Sequence, residues 1–144
     1  MTFKIREACL DDANEICELN RLEMGYDYSL KDTIKRLSTL ISNPEHKIYV
    51  GVYNDNVVGY IHACNYDLTF SPPLKNILGI AVNIEYKRHV IGRALLEAVE
   101  QWAISDGAVG VRIISGATRV GAHEFYHKCG YSQDKKQINL KKLF

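Results

Sequence analysis

What this chain lacks narrows it first. None of its 144 residues falls in an apolar run near the roughly 18 residues that a membrane-spanning helix needs. The opening "MTFKIREACLDD" holds no long apolar stretch, so it does not read as a signal peptide. The four cysteines, Cys9, Cys17, Cys64 and Cys129, form no C-x-x-C pair, and their spacing suggests no zinc site. Each reads as a small buried hydrophobe in a reducing compartment. Excess charge is missing too. A net charge of +1 argues against a general electrostatic partner such as duplex DNA or an anionic membrane. Neither a Walker loop (G-x-x-x-x-G-K-[ST]) nor a dinucleotide loop (G-x-G-x-x-G) occurs. The expectation is a cytoplasmic protein with no metal, no nucleic acid and no membrane among its partners.

What is present is ordinary for a globular chain: 47% hydrophobic and 24% charged residues. The length suits one domain, residues 1–144, large enough to bury its own core. "FKIREA" alternates and predicts a strand. Asp12 and Glu15 fit a capping box for a helix whose stripe is Ala13, Ile16, Cys17 and Leu19. Ser29 caps a second helix, with Leu30, Ile34, Leu37 and Ile41 on one face, before Asn43 and Pro44 stop it. "KIYVGVY" and "VVGYIHACNYDL" flank the turn "NDN" as a hairpin. "NILGIAV" is apolar throughout, as a strand buried on both faces would be. A helix follows to about Ser105, with Leu95, Leu96, Val99 and Trp102 or Ala103 inward. "VGVRIIS", a short helix in "RVGAHEFYHKCG", and the alternating "QINLKKL" complete the order β-α-α-β-β-β-α-β-α-β.

Between "NILGIAV" and the third helix lies "NIEYKRHVIGR". Strand-to-helix junctions of α/β sheets commonly hold ligands. The first amides of a helix lack intrahelical acceptors and carry positive partial charge, which suits a phosphate. Lys87, Arg88 and Arg93 add charge there, and Gly92 permits close approach. On these residues alone a solvated basic face is the more common reading.

The same stretch resembles the acyl-CoA-binding motif of the GNAT superfamily of N-acyltransferases, a strand leading into [Q/R]-x-x-G-x-[G/A]. Lys87 falls on the first position, Val90 on the first glycine and Gly92 on the last. Downstream, "SGATRVGAHEFYHKCGY" is similar to the family's S-x-x-N-x-x-A-x-x-F-Y-x-x-x-G-F region. Ala122, Phe125, Tyr126, Gly130 and Tyr131 are in register, with Thr118 in the asparagine position. The "I-R-E-A-x-x-D-D" opening and the element order also match.

The resemblance implies an α/β (α+β) fold: a mixed, mostly antiparallel sheet of six to seven strands, about four flanking helices, and central parallel strands that splay. It implies acetyl-CoA as cosubstrate and direct attack by a primary amine of a small molecule or protein. Backbone groups of Ile80, Ala81 and Val82 would pair with the pantetheine arm. The pyrophosphate would lie on Lys87, Arg88, His89, Val90, Ile91, Gly92 and Arg93. Val90 should keep negative φ, inside the first helical turn, because a β-branched residue strongly disfavours positive φ. Thr118 reads as a pantetheine contact or as a helix N-cap. Tyr126 is the implied general acid for the leaving thiolate, against packing beside Phe125, which is assigned to the core. Tyr26, Tyr28 and Asp67 are candidates for binding a cationic acceptor.

"NILGIAV" offers no carboxylate for a base, which leaves His62, Asp67, Glu23 or solvent. His123 and His127, four apart, lack a third ligand. The alternative function is a non-catalytic acyl-CoA-binding or regulatory module of the same fold. A third reading is an unrelated α/β interaction domain. Family members often dimerise, and the end of the final strand offers an edge for a homodimer.

Overall fold

The computed structural model describes residues 2–86 and 90–144. The chain divides into two compact units, Met1–Ile113 and Ile114–Phe144. The first unit holds β1 (Phe3–Glu7), α1 (Ala13–Met24), α2 (Leu30–Ile41), β2 (His46–Tyr53), β3 (Asn56–Tyr66), β4 (Leu74–Val82), α3 (Ile91–Ser105) and β5 (Val111–Ile113). The second holds α4 (Val120–Lys128).

One mixed sheet runs in the order β1-β2-β3-β4-β5. Its first three pairings are antiparallel and β4–β5 is parallel. The sheet therefore has five strands among the described residues, not six to seven. The predicted final strand at 137–143 is not formed among the described residues, although the segment carries the period of a strand.

Local signals account for most elements. Asn54 and Asp55 both take positive φ, 50° and 64°, and close the tight β2–β3 turn. Ser29 Oγ accepts from the Asp32 amide at 3.0 Å and starts α2. Asp12 does not cap α1. Its carboxylate turns back to accept from the Cys9 amide and, at 2.8 and 2.9 Å, from the Arg6 guanidinium, a bidentate pair stronger than a cap. Burial pushes the Asp12 carboxyl up, but these hydrogen bonds hold it below its ordinary value. On α2 the buried residues are Thr33 and Leu37, while Leu30, Ile34 and Ile41 are exposed, so the helix is rotated from the face read in sequence.

A core of Ala13, Ile16, Leu19 and Leu37 from the helices packs on Ile48, Val50, Val52, Tyr60 and Ala81 of the sheet. The opposite face carries α3, whose Ile91, Leu95, Leu96 and Val99 are fully buried. Two glycines set how closely α3 lies. Gly51 and Gly59 are paired across β2 and β3. A Cβ on Gly51 would stand 2.9 Å from Ile91 Cγ2. One on Gly59 would stand 3.1 Å from the Ala81 carbonyl and 3.4 Å from Leu95 Cδ1. The start of α3 thus rests on backbone.

The other end of α3 is tied by Lys75, which is only 3% exposed. Its ammonium lies 3.9 Å from the Trp102 ring centroid and donates to Asn65 Oδ1 and Asp106 Oδ2. A buried charge persists only when so paired.

Gly51→Ala should cost about 1–3 kcal/mol, the usual range for overpacking, because Ile91 must give way. Gly121→Ala on α4 meets nothing within 4 Å and should be neutral or stabilising by up to about 1 kcal/mol. Urea unfolding of both variants checks the contrast; equal effects would mean that the close approach of α3 costs nothing to disturb.

Candidate active site

The parallel ladder between β4 and β5 joins only Lys75, Asn76 and Ile77 to Val111, Arg112 and Ile113. β4 then continues to Val82 with β3 on one side and, among the described residues, no strand on the other. The ladder ends where β4 bulges. His62 pairs with Gly79 and Ala63 with Ile77, so Leu78 is the extra residue, and it is 53% exposed.

The bulge also exchanges the two faces. Before it, Lys75 reaches Trp102 of α3. After it, Gly79 lies by Met24 of α1 and the Tyr60 hydroxyl, and Ala81 joins the α1 core. Val82, beside Leu95 at Gly59, faces α3. Alternate residues of Gly79–Val82 therefore turn their N–H and C=O groups toward the side that β5 has left. Of the expected backbone contacts, Ile80 is half-buried and Ala81 and Val82 are buried.

From Val82 the chain enters a single turn of 3-10 helix, Ile84–Tyr86. Asn83 Oδ1 accepts from the Glu85 amide and the Asn83 carbonyl from the Tyr86 amide, so the turn is locally closed. Glu23 on α1 accepts from the Ile84 amide at 3.1 Å, which ties the connection to the first helix. The expected anion contacts Lys87, Arg88 and His89 lie outside the described residues.

The connection resumes at Val90, with φ −77° and ψ 11°. The negative φ expected of a β-branched residue is present. Its position differs by one step: the Val90 carbonyl accepts the first helical bond, from Ala94, so Val90 is the N-cap and not part of the first turn. Valine is among the poorest N-caps, and α3 has no side-chain cap bond. The amides of Val90, Ile91 and Gly92 thus precede the first intrahelical bond, and among the described residues no side chain caps them. Ile91 and Gly92 are buried; Arg93 is exposed.

On the α1 side of the bulge, Tyr60 donates from its hydroxyl to Asn20 Oδ1. Burial raises that phenol to about 12, with the Asn20 bond opposing and Tyr26 adding a little. Neither Asn20 nor Tyr60 is marked by sequence reading; both sit on regular elements with no motif around them. Tyr26 and Tyr28 are exposed at the end of α1, beyond the left-handed Gly25. Asp67 is exposed just past β3. No hydrogen bond or ion pair among the described residues joins Asp67 to either tyrosine, so the structure gives no direct link between them.

His62 on β3 has its Nε2 2.9 Å from Nδ1 of His46 on β2. Burial, then His46 and Arg36, push it down to about 4. It is a neutral ring held by a neighbouring ring, which makes it a weak proton acceptor. Cys64 is also on β3, and burial pushes its thiol up, with the hydrogen bond to Asn76 opposing.

In the second unit, Tyr126 of α4 is 7% exposed, with the Phe125 ring 5.5 Å and the Tyr131 ring 6.3 Å away. Tyr126, not Phe125, is the buried member of the pair; Phe125 is half-buried. Burial raises the phenol, with Arg119 opposing. Arg119 is the N-cap of α4, so Thr118 is not; Thr118 is exposed. His123 Nε2 donates to the Gly116 carbonyl at 2.9 Å and His127 is exposed. No group of three or more His, Cys, Asp or Glu that could hold a metal occurs among the described residues. Ser115, the first residue of the motif "SGATRVGAHEFYHKCGY" but given no role from sequence, has a buried hydroxyl with no hydrogen-bond partner among the described residues. Such an atom is costly unless something else satisfies it.

The acetyltransferase (GNAT) family model matches residues 13–131. No curated protein sequence matches. Among solved structures, the aminoglycoside 6'-N-acetyltransferase AAC(6')-Ih of Acinetobacter baumannii is similar at 17% identity, with 99% of each chain covered and a TM-score of 0.86. The aminoglycoside N-acetyltransferase AAC(6')-Iy in complex with CoA is similar at 13% identity, over 98% of this chain and 95% of the other, with a TM-score of 0.88. A transcriptional regulator of Bacillus halodurans is similar at 15% identity, over 98% and 100%, with a TM-score of 0.89. At these identities the likeness establishes the fold.

His62 generates a pH prediction. Its folded value near 4 lies below the ~6.5 of an unfolded histidine, so protonation favours the unfolded chain. Its contribution is whole above about pH 6.5 and is lost as pH falls toward 4, on the order of 3 kcal/mol at most. Asp12 loses its contribution lower, below about pH 4. Urea unfolding across this range should show the slope, and His62→Gln should flatten it. An unchanged slope in the variant would assign the effect to other groups.

Proposed function

We propose that this chain, which belongs to the acetyltransferase (GNAT) family, transfers the acetyl group of acetyl-CoA to a primary amine of a small, cationic molecule. One observation carries the reading. β4 leaves β5 at the Leu78 bulge and runs, with one side unpaired, into a helix that has no side-chain cap. A strand edge of free amides suits an amide-rich arm, and an uncapped helix start suits a pyrophosphate. The residues thus fit acetyl-CoA, which supplies an activated thioester.

On this reading Ile80, Ala81 and Val82 hold the pantetheine arm, and one of their N–H groups polarises the thioester carbonyl. Val90, Ile91, Gly92 and Arg93, together with Lys87, Arg88 and His89, hold the pyrophosphate. Thr118 is a further cosubstrate contact. The amine forms its bond to the carbonyl carbon as the carbon–sulfur bond breaks. Tyr126 gives its proton to the departing sulfur and is reprotonated from water. Its raised phenol keeps that proton throughout the neutral range. His62 is held at about 4 by burial and His46, and the Glu23 carboxylate is engaged by Ile84. Water is therefore assigned the proton lost by the amine. Tyr26, Tyr28 and Asp67 are the proposed acceptor contacts, since exposed phenols and a carboxylate favour a cation. The chain is read as one domain, acting in the cytoplasm without metal.

The alternative, an acyl-CoA-binding module without turnover, is favoured by the absence of a carboxylate on β4. Two measurements separate them. Calorimetry should show acetyl-CoA binding, and thiol release with a panel of polyamines and aminosugars should show turnover. Binding with no turnover on any amine supports the module; no binding sinks both readings. Tyr126→Phe should slow transfer on the order of a hundredfold with CoA affinity nearly unchanged. If affinity collapses instead, the tyrosine is structural.

A second variant probes the helix start. Val90→Asp supplies the missing cap, worth about 1 kcal/mol, and should raise the melting temperature while weakening CoA binding. Higher stability with unaltered affinity would move the pyrophosphate elsewhere.

A further inference from the structure

Tyr60 stands on β3 opposite Ala81 and is 6% exposed, within the core that α1 covers. A ring in that place packs as well without a hydroxyl, and a buried hydroxyl must find a partner. Its proton goes to Asn20 Oδ1 on α1, 40 residues away in sequence. A phenol oxygen also has lone pairs with which to accept. Among the described residues nothing donates to the Tyr60 oxygen.

That oxygen stands at the opening in the sheet. It lies beside Gly79, the first residue after the Leu78 bulge, where a Cβ would be 3.7 Å from the hydroxyl and 3.7 Å from Met24 Cε. Neither backbone nor packing demands a glycine there: its φ is not left-handed, and 3.7 Å is an ordinary contact. Glycine inside a strand weakens it and often marks a place where a ligand comes close. Gly79 and Asn20 are both half-buried, so the hydroxyl is flanked by partly open positions. Asn20 also faces the other way. Its carbonyl accepts from the Gly25 and Tyr26 amides, which ends α1 and sets the course of the chain into Tyr26. One residue thus joins the candidate acceptor contact to the unpaired stretch of β4.

We propose that the Tyr60 oxygen, oriented by Asn20, accepts a hydrogen bond from the attacking amine at Gly79 and aims its lone pair at the thioester carbonyl. The inference rests on the acetyl-transfer reading above. Once water has taken a proton from the ammonium, the neutral amine keeps two N–H groups and a lone pair. One N–H donates to Tyr60, and the lone pair forms the bond to carbon as the carbon–sulfur bond breaks. The other N–H gives its proton to water as the amide forms, and the one held by Tyr60 stays in the product. Positive charge grows on the nitrogen as it bonds, so this hydrogen bond strengthens in the transition state. Tyr60 takes no proton itself: burial raises its phenol to about 12. Asn20 is the positioning residue. Without its Oδ1 the phenol proton turns toward the amine and meets the lone pair that must attack.

The test uses the full chain with acetyl-CoA and three amines: propylamine, spermidine and glucosamine. Thiol release is followed against amine concentration, and acetyl-CoA affinity by calorimetry. Tyr60→Phe should lower the amine-dependent slope about ten- to a hundredfold and leave acetyl-CoA affinity unchanged. Asn20→Asp, which still accepts the phenol proton, should keep most of the slope, and Asn20→Leu should lose it. Gly79→Ala meets nothing nearer than 3.7 Å, so it should melt with the wild type and bind acetyl-CoA. Its methyl stands where the amine must approach, and the slope should collapse. A hydroxyl that only holds α1 to β3 would leave Gly79→Ala active. An unchanged slope in Tyr60→Phe or Gly79→Ala overturns the contact and leaves acetyl transfer standing. A wild type in which no amine adds to thiol release overturns acetyl transfer and the contact together. Should Tyr60→Phe not fold, Gly79→Ala decides.

Discussion

Backbone amides must be paired, and β4 is where the fold leaves that requirement open. Its parallel ladder with β5 lasts three residues, and the extra residue at Leu78 ends it. A bulge bends a strand and raises its twist, so β4 and β5 part from that point. The same bulge exchanges faces, sending Lys75 to α3 and Gly79 and Ala81 to α1. A one-residue slip without a bulge would turn every later side chain to the wrong layer. One extra residue therefore creates the unpaired backbone and keeps both layers supplied.

The rest of the first unit holds that opening in place. The paired Gly51 and Gly59 let α3 settle onto the sheet at Ile91 and Leu95. Lys75, Trp102, Asn65 and Asp106 fix its far end to β3 and β4. With both ends set, the helix start is aimed by packing alone. Its N-cap, Val90, contributes no oxygen, and the cost of the uncapped amides falls on the fold unless an anion meets it. The Glu23 bond to the Ile84 amide ties this junction to α1, whose end carries Tyr26. The candidate cosubstrate and acceptor regions of this unit are thus joined by one carboxylate.

The histidines illustrate how burial removes a reading that a sequence leaves open. His62 had the chemistry of a base, but its ring is held by His46 and pushed down to about 4 by burial, then by His46 and Arg36. Tyr126 went the other way. Its motif position suggested a proton donor or a packed ring, and the structure makes it the buried member of its aromatic pair, with a raised phenol. Burial keeps the histidine neutral and the phenol protonated for the same reason: in each case the charged form is the one that loses solvation.

The elements were legible in the sequence because their signals are local. Period, cap and turn chemistry lie within a few residues, as with Ser29, the Asn54–Asp55 turn and the apolar run Ile77–Val82. The family was legible because its two motifs sit at a helix start and a helix end, where particular residue types are required. What tertiary structure alone decided depends on neighbours that no segment contains. The Leu78 bulge is a property of the pairing of β3 with β4 and leaves no mark on either segment alone. α2 buries Thr33 and Leu37, and not Leu30, Ile34 and Ile41, because the sheet beneath it sets its rotation. Asp12 leaves its cap because Arg6 offers two charged donors. "QINLKKL" has the period of a strand but forms none among the described residues, because a strand is a relation to a neighbour and the segment's own residues do not contain one.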